Sequence, residues 1–330
     1  MIPSAPVSRS ETPNLFPVIV SKASKAARDI HVFELRAEGD QPLPSFEAGA
    51  HVPVTTPGGA MRQYSLCNAP EGADHYRIAV KREPQGRGGS ASMVDTLREG
   101  DRLMIGVPVN QFSLDARAKS FLLIAGGIGI TPLLSMALTL AAEGDRRFRL
   151  IYLTRDREGT AFLDELASPE LKPGVTVHHD GGDPGRAFDL WPLLEKPGSI
   201  SGQHLYCCGP KALMDDVRDM SGHWPTSAVH FESFGADTAP HPDDANFTVH
   251  CRASGRSFEV PVGRSILETA RAHGIKVPSS CESGTCGSCK TTLLSGEADH
   301  RDLVLMPEER DRCIMVCVSR ARGASLELDL

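Results

Sequence analysis

Along the first third of the chain, apolar and polar residues alternate in short runs. "FPVIVSKAS", "HVFELRA", "HVPVTT", "RQYSLCN", "YRIAVKR" and "DRLMIGVP" follow one another, divided by Gly and Pro. This spacing predicts an antiparallel barrel or sandwich over residues 1–117. One helix interrupts it, "SASMVDTLREG", with Ser90 expected as N-cap and Gly100 just past the end. The first dozen residues are rich in Pro and Ser and are expected to fray.

The pattern changes at Phe121. "FLLIAGG" is continuously apolar, as a strand covered on both faces must be. "ITPLLSMALTLAAEG" then reads as a helix, with Thr131 at the N-cap, Pro132 at N1 and Gly144 as the stop. Apolar strands recur at "RLIYLTR", "VTVHHD", "HLYCCGP" and "VHFESF", with helical stretches between several of them. That alternation predicts a doubly wound parallel sheet over residues 118–235. "GADTAPHPDDANF" has no periodicity, so residues 236–245 read as a linker. A last domain, 246–330, opens with "FTVHCRAS" and "SFEVPV". The helix after them carries Ser265 and Glu268 at capping-box spacing and ends at Gly274.

A chain of 330 residues has room for two or three such domains. The formal net charge of −7 gives a nucleic-acid partner no electrostatic support. No apolar run reaches the roughly 18 residues of a membrane span, and "MIPSAPVSRSETPN" lacks the core of a signal peptide. Nine cysteines, an odd number, are partly clustered. Reduced thiols in a cytoplasm, some of them binding metal, are expected.

Three of those thiols lie in "CESGTCGSCK". Cys281, Cys286 and Cys289 give C-x4-C-x2-C. Zinc sites usually pair one C-x2-C with another. The asymmetric triple is instead the plant-type spacing for a [2Fe–2S] cluster, which requires a fourth thiolate further on. Cys313 follows the charged "PEERDR", whereas Cys317 lies in the apolar "IMVCVSR". A buried ligand suits a buried cluster, so Cys317 is chosen and Cys313 has no assigned role. Gly284 and Gly287 allow the positive φ that turns backbone N–H groups toward a negatively charged cluster. The competing reading is a zinc-stapled loop.

"AGGIGITP" joins a buried strand to a helix, where N–H groups and the helix N-terminus suit a pyrophosphate. Its spacing departs from G-x-G-x-x-G. "YCCGPKALM" repeats the strand-to-helix turn, with Gly209 and Pro210 at the junction. Ligands of doubly wound sheets lie at the carboxyl ends of the strands, so both turns can line one crevice. Cys208, directly before the glycine, is favoured over Cys207 as the site-lining thiol. Asp156, flanked by Arg155 and Arg157, follows the second parallel strand, where a carboxylate favours a free ribose 2′-hydroxyl. In the first domain, "RQYSL" offers a cation, an aromatic and a hydroxyl, and "KREPQGRGGS" a basic, Gly-rich turn suited to phosphate. Each is ambiguous alone, since a solvated strand and an ordinary hairpin turn look the same.

Together the motifs resemble the ferredoxin–NADP reductase superfamily. Their order, with the thiol domain last, is similar to the phthalate dioxygenase reductase family over nearly the whole chain. The resemblance implies an antiparallel flavin-binding barrel, an NAD-binding α/β domain and a β-grasp-like plant-type ferredoxin domain. It implies FMN held by Arg62, Gln63, Tyr64 and Ser65, with Ala79, Val80 and Lys81 along its ring. Arg87, Gly88, Gly89 and Ser90 would hold its phosphate. Gly127, Gly129 and Thr131 would face the dinucleotide, Arg155 and Asp156 its adenosine end, and Cys208, Gly209 and Pro210 the nicotinamide. Phe234 would cover the flavin ring. Cys208, Ser65 and Phe234 would be the catalytic residues. Gln63 stands where close relatives carry Thr.

The implied activity is an NADH-dependent reductase. Hydride from NADH reaches FMN, and single electrons leave through the [2Fe–2S] cluster. The implied partner is a Rieske-type aromatic-ring oxygenase, or an O-demethylase oxygenase served by the same machinery. A monomer is expected. A redox sensor is the competing reading, but all three domains are already occupied by electron transfer.

Overall fold

The alternating first third forms six strands: β1 (Leu15–Ala27), β2 (Ile30–Ala37), β3 (His51–Thr55), β4 (Met61–Ser65), β5 (Tyr76–Lys81) and β6 (Arg102–Gly106). The computed structural model describes residues 15–39, 41–199, 202–235, 241, 243–279, 282–285 and 287–330. The six strands pair antiparallel in the order β4-β3-β6-β1-β2-β5. The expected closed barrel is not found among the described residues. The outer strands meet only at an isolated bridge, Leu66 to Ile78. Register shifts in β1, between Val20 and Lys22 and between Lys25 and Ala27, mark the irregularities at which such a sheet bends. Val18, Phe33, Leu35, Val52, Tyr76, Ile78 and Ile105 fill its core.

Helix α1 (Gly89–Thr96) starts two residues earlier than Ser90 as N-cap implies, and it ends at Thr96, short of the expected stop at Gly100. Ser90 therefore lies inside it, and its hydroxyl accepts the Glu83 N–H at 3.1 Å instead of capping.

The parallel sheet contains β7 (Ser120–Gly126), β8 (Arg147–Thr154), β9 (Val175–His179), β10 (Gln203–Cys208) and β11 (Val229–Glu232), in the order β11-β10-β7-β8-β9. Its helices are α2 (Ile130–Glu143), α3 (Leu163–Leu166), α4 (Trp191–Leu194) and α5 (Lys211–Met220). Strand β7 shows why its sequence is unbroken in apolarity. Phe121, Leu123 and Ala125 enter the core on one face, and Leu122 and Ile124 the core on the other. A 3₁₀ turn, Gly127–Gly129, precedes α2. Thr131 is thus not the N-cap; its hydroxyl donates to the Ile128 carbonyl at 3.1 Å. Gly144 does stop the helix, at φ +72°.

The last domain consists of β12 (Phe247–Cys251), β13 (Arg256–Val260), α5's successor α6 (Ile266–Ala272), β14 (Lys290–Ser295), β15 (Ala298–Asp299), β16 (Cys313–Met315), β17 (Arg320–Ala321) and β18 (Ser325–Leu328). The main sheet runs β13-β12-β18-β14-β16, with β12 and β18 parallel, and β15 pairs with β17. Residues 236–240 and 242 of the expected linker lie outside the described residues. Its end is held firmly: Arg301 pairs with the Asp244 carboxylate, and Arg320 donates to the Ala245 carbonyl at 3.0 Å. By packing, Leu15–Pro84 and Gly89–Phe234 form one unit, and Gln85–Gly88 joins Gly235–Leu330 in the other.

The capping box at α6 is complete. Ser265 Oγ accepts the Glu268 N–H at 3.1 Å, and the Glu268 carboxylate accepts the Ser265 N–H at 3.0 Å. Ser265→Ala is expected to lower the stability of this unit by about 1 kcal/mol. Chemical denaturation of the holoprotein, followed by its visible absorbance, measures this; an unchanged midpoint would show that the box contributes nothing.

Candidate active site and iron–sulfur loop

The carboxyl ends of β7 and β10 are adjacent, with Ala125 opposite Cys208. The turns that leave them touch backbone to backbone. A Cβ on Gly129 would lie 2.2 Å from the Cys208 carbonyl oxygen, and one on Gly209 would lie 2.9 Å from Gly126 Cα. A Cβ on Gly126 would strike Pro210 at 2.6 Å. Only glycine fits these three positions. Gly127, at φ +53°, instead has open space beside it. The structure thus brings together the two turns that the sequence singles out, with Gly127, Gly129, Gly209 and Pro210 at one crevice beside the start of α2.

Cys207 and Cys208 point to opposite faces of the sheet, each in a different core. Both are fully buried. Burial, with Glu232 and Cys207 nearby, pushes the Cys208 thiol well above its usual range. Cys208 is a neutral thiol here, suited to shaping the floor of a ring-binding site and unsuited to nucleophilic attack.

Opposite Cys208 on the neighbouring strand stands Glu232. Its Oε2 is buried and has no hydrogen-bond partner among the described residues. Burial pushes its carboxyl up to about 8. Two residues on, the ring of Phe234 is 43% exposed, unusual for a large aromatic at the end of a buried sheet. An uncapped acid, a small thiol and an open aromatic ring together suit a flat heteroaromatic ligand.

Strands β4 and β5 carry the expected flavin residues, and these strands meet at the Leu66–Ile78 bridge. Ser65, Ala79 and Val80 are buried there, while Arg62, Gln63 and Tyr64 are half-buried. Lys81 is exposed and pairs with Glu83 at 2.7 Å. Arg62 lies across the first residue of α1, for a Cβ on Gly89 would approach its Nε at 3.0 Å. A guanidinium and a helix N-terminus side by side are fitted to a phosphate. Gly88, at φ +81°, and Ser90 flank them.

Two expected site residues have other partners. Asp156 accepts from Arg28 at 2.7 Å and from the Gly159 N–H at 2.7 Å, and Arg28 holds its carboxyl below the usual range. Arg155 beside it is exposed. Arg87 donates to the carbonyls of Cys317 and Glu282, at 3.0 and 2.7 Å.

Of the four expected cluster ligands, Cys281 and Cys286 lie outside the described residues. Cys289 and Cys317 are buried, whereas Cys313 is only partly so. Gly284 and Gly287 take φ of +77° and +81°. Glu282 shares that left-handed region at φ +53° without being glycine. Asp302, buried, ties down the neighbouring loop by accepting the N–H groups of Val304 and Leu305 at 3.1 and 2.8 Å.

Three family models match the chain: an oxidoreductase FAD-binding domain over residues 17–114, an oxidoreductase NAD-binding domain over 123–219, and a 2Fe-2S iron–sulfur cluster binding domain over 249–322. Phthalate dioxygenase reductase of Burkholderia cepacia is 59% identical over 311 residues, which is 94% of this chain and 96% of that protein. The chain belongs to the phthalate dioxygenase reductase family. The phthalate 4,5-dioxygenase oxygenase reductase subunit of Pseudomonas putida is 50% identical, covering 93% of this chain and 94% of its own. The solved structure of phthalate dioxygenase reductase, described as a modular structure for electron transfer from pyridine nucleotides to [2Fe-2S], matches with a TM-score of 0.88. It is 57% identical and covers 96% of this chain and 98% of that one. No helix among the described residues is long and apolar enough to cross a membrane.

As a member of that family, this chain carries flavin-, NAD- and 2Fe-2S-binding domains. Sequence reading passed over Glu232, although an acid inside the apolar "VHFESF" was a visible signal. It could not find Arg28, whose partner is 128 residues away.

A carboxyl whose folded pKa exceeds its unfolded value keeps its proton longer in the fold. Glu232, raised from 4.5 to about 8, therefore costs the fold stability as pH rises through that window. Glu232→Gln, which cannot ionise, is expected to exceed the wild type in stability at pH 8.5 by at least about 1 kcal/mol. The gap should close at pH 5, and thermal denaturation at both values reads it. A gap independent of pH would show that Glu232 titrates normally.

Proposed function

We propose that this chain is the NADH-dependent reductase of an oxygenase system, with FMN as its flavin and a Rieske-type oxygenase as its acceptor. The observation that carries the reading is the joining of the two glycine turns over Cys208 and Glu232, in one chain with the plant-type thiol loop. FMN is preferred because the phosphate cradle of Arg62 and α1 has no accompanying block for an adenine. When bound, the three cofactors would supply transfer of an electron pair as one hydride and its release as two single electrons.

The chain's own residues do the rest. The Gly126–Gly129 turn and the start of α2 hold the pyrophosphate of the nucleotide. Cys208 and Glu232 flank the nicotinamide, and Pro210 fixes the turn between them and α5. Asp156, held by Arg28 at the carboxyl end of β8, offers carboxylate oxygens that suit a free ribose 2′-hydroxyl and so favour NADH, although Arg28, Arg155 and Arg157 beside it offset its charge. Ser65, Ala79 and Val80 border the flavin ring, and Phe234 covers it. Gln63 and Lys81 lie at its edge. Gly88, Gly89 and Ser90 complete the phosphate cradle, with Thr131 and Arg155 on the nucleotide side. Cys281, Cys286, Cys289 and Cys317 ligate the cluster. Thiols kept for a metal stay reduced in a cytoplasm, where a monomer of this kind would work.

The deciding experiment compares two thiols. Cys317→Ser should lose the iron–sulfur absorbance and cytochrome c reduction, while NADH still reduces a two-electron dye at near the wild-type rate. Cys313→Ser should keep all three. Cytochrome c reduction at full rate in Cys317→Ser would show that electrons leave by another route.

Arg62→Ala should weaken FMN retention by roughly 1.5–3 kcal/mol, the range for a charge-assisted contact. Equilibrium dialysis of the variant measures it, and release of FAD from the denatured wild type would defeat the FMN assignment.

A further inference from the structure

Arg87 stands in the turn "QGRG", which the family resemblance directs to the flavin phosphate. Its guanidinium is turned to the C-terminal unit, to which Gln85–Gly88 belongs by packing. Nη1 donates to the Cys317 carbonyl at 3.0 Å and Nη2 to the Glu282 carbonyl at 2.7 Å. The Glu268 carboxylate is 3.8 Å away, and only 11% of the arginine side chain is exposed.

These carbonyls belong to the two stretches that bear cluster thiols. Cys317 is itself an assigned ligand, and Glu282 directly follows Cys281. A planar guanidinium can reach both with fixed geometry, which an ammonium cannot. The Glu282 end needs such support. A non-glycine residue at φ +53° persists only where its surroundings over-determine it. Arg271 holds the Glu282 carboxylate at 2.6 Å, the Ser279 hydroxyl donates to it at 3.1 Å, and Arg87 holds the carbonyl. Cys317, Arg87, Arg264, Arg301 and Arg320 line one small cleft with Asp244, whose carboxylate pairs with Arg301 and Arg320 and leaves Arg87 and Arg264 as further cations there. The positive charge is thus fixed beside the ligand strand.

We propose that Arg87 is a positioning residue of the iron–sulfur centre. It keeps the Cys317 strand and the Glu282 turn in register, and its charge favours the reduced centre. Reduction adds one negative charge to the centre, and a nearby buried cation stabilises that charge. The proposal rests on the reading of Cys317 as a ligand.

The test uses holoproteins carrying Arg87→Gln, Arg87→Lys and Cys317→Ser. It measures flavin content, the midpoint potential of the centre in a mediated dithionite titration, and the EPR spectrum of the reduced state. Arg87→Gln should keep flavin at the wild-type ratio and disfavour the reduced centre about tenfold, which is 59 mV for one electron. Arg87→Lys should recover most of the potential, since it keeps the charge. It should not recover the EPR line shape, since it lacks the fork. Loss of flavin from Arg87→Gln at unchanged potential would make Arg87 a phosphate ligand and overturn the proposal, as would no change in either. Should Arg87→Gln fail to fold, a wild-type line shape in Arg87→Lys overturns it. Iron–sulfur absorbance surviving in Cys317→Ser defeats the ligand reading beneath it, a failure distinct from an unaltered potential in the Arg87 variants.

Discussion

Everything at the nucleotide end depends on how closely two backbones approach. Gly129 leaves 2.2 Å between its missing Cβ and the Cys208 carbonyl, a space that no side chain can occupy. That approach seats the 3₁₀ turn Gly127–Gly129 against the end of β10, just before α2. It also fixes Cys208 at the end of β10, and through the parallel ladder it fixes Glu232 on β11. A thiol and an acid thus hold their places by backbone geometry, and Glu232 Oε2 has no hydrogen-bond partner among the described residues.

The iron–sulfur loop solves a related problem by other means. Gly284 and Gly287 turn their backbones at positive φ at little steric cost. Glu282 does so at a cost, and is held by arginines at both ends, Arg271 on the carboxylate and Arg87 on the carbonyl. Asp302 then fixes the adjoining loop through backbone N–H groups. Where the nucleotide turns remove atoms to gain closeness, the thiol loop adds charged side chains to hold a conformation that would otherwise relax.

Much of this was legible from residue order. Periodicity of two in the first third, unbroken apolar runs in the second and the Ser265–Glu268 box in the last are local signals, and the elements formed accordingly. Helix starts were less legible. The 3₁₀ turn at Gly127–Gly129 took the place that Thr131 was expected to cap, and α1 began at Gly89; both hydroxyls make other local bonds, Thr131 to the Ile128 carbonyl and Ser90 from the Glu83 N–H. The spacing of the runs left barrel and sandwich both open, and the barrel came from the family resemblance; bulges in β1 and the Leu66–Ile78 bridge decide how far the sheet closes. Partners distant in sequence were illegible. Asp156 meets Arg28 and Arg87 meets Cys317 only once the chain has folded, and no periodicity records such meetings. Glu232 was legible as an oddity, an acid in an apolar strand, but its chemistry depends on burial that the sequence does not state.

The depth at which Cys67, Cys207, Cys208 and Cys251 lie has a chemical consequence. Burial raises Cys67 to about 11 and Cys207 to about 12, and lifts Cys208 and Cys251 as well. Peroxides and alkylating reagents attack thiolates, and a thiol held protonated inside a core presents almost none. Cys67, Cys207, Cys208 and Cys251 are therefore kept in the acid form and out of reach of oxidants, while Cys313, only partly buried, lacks that shelter.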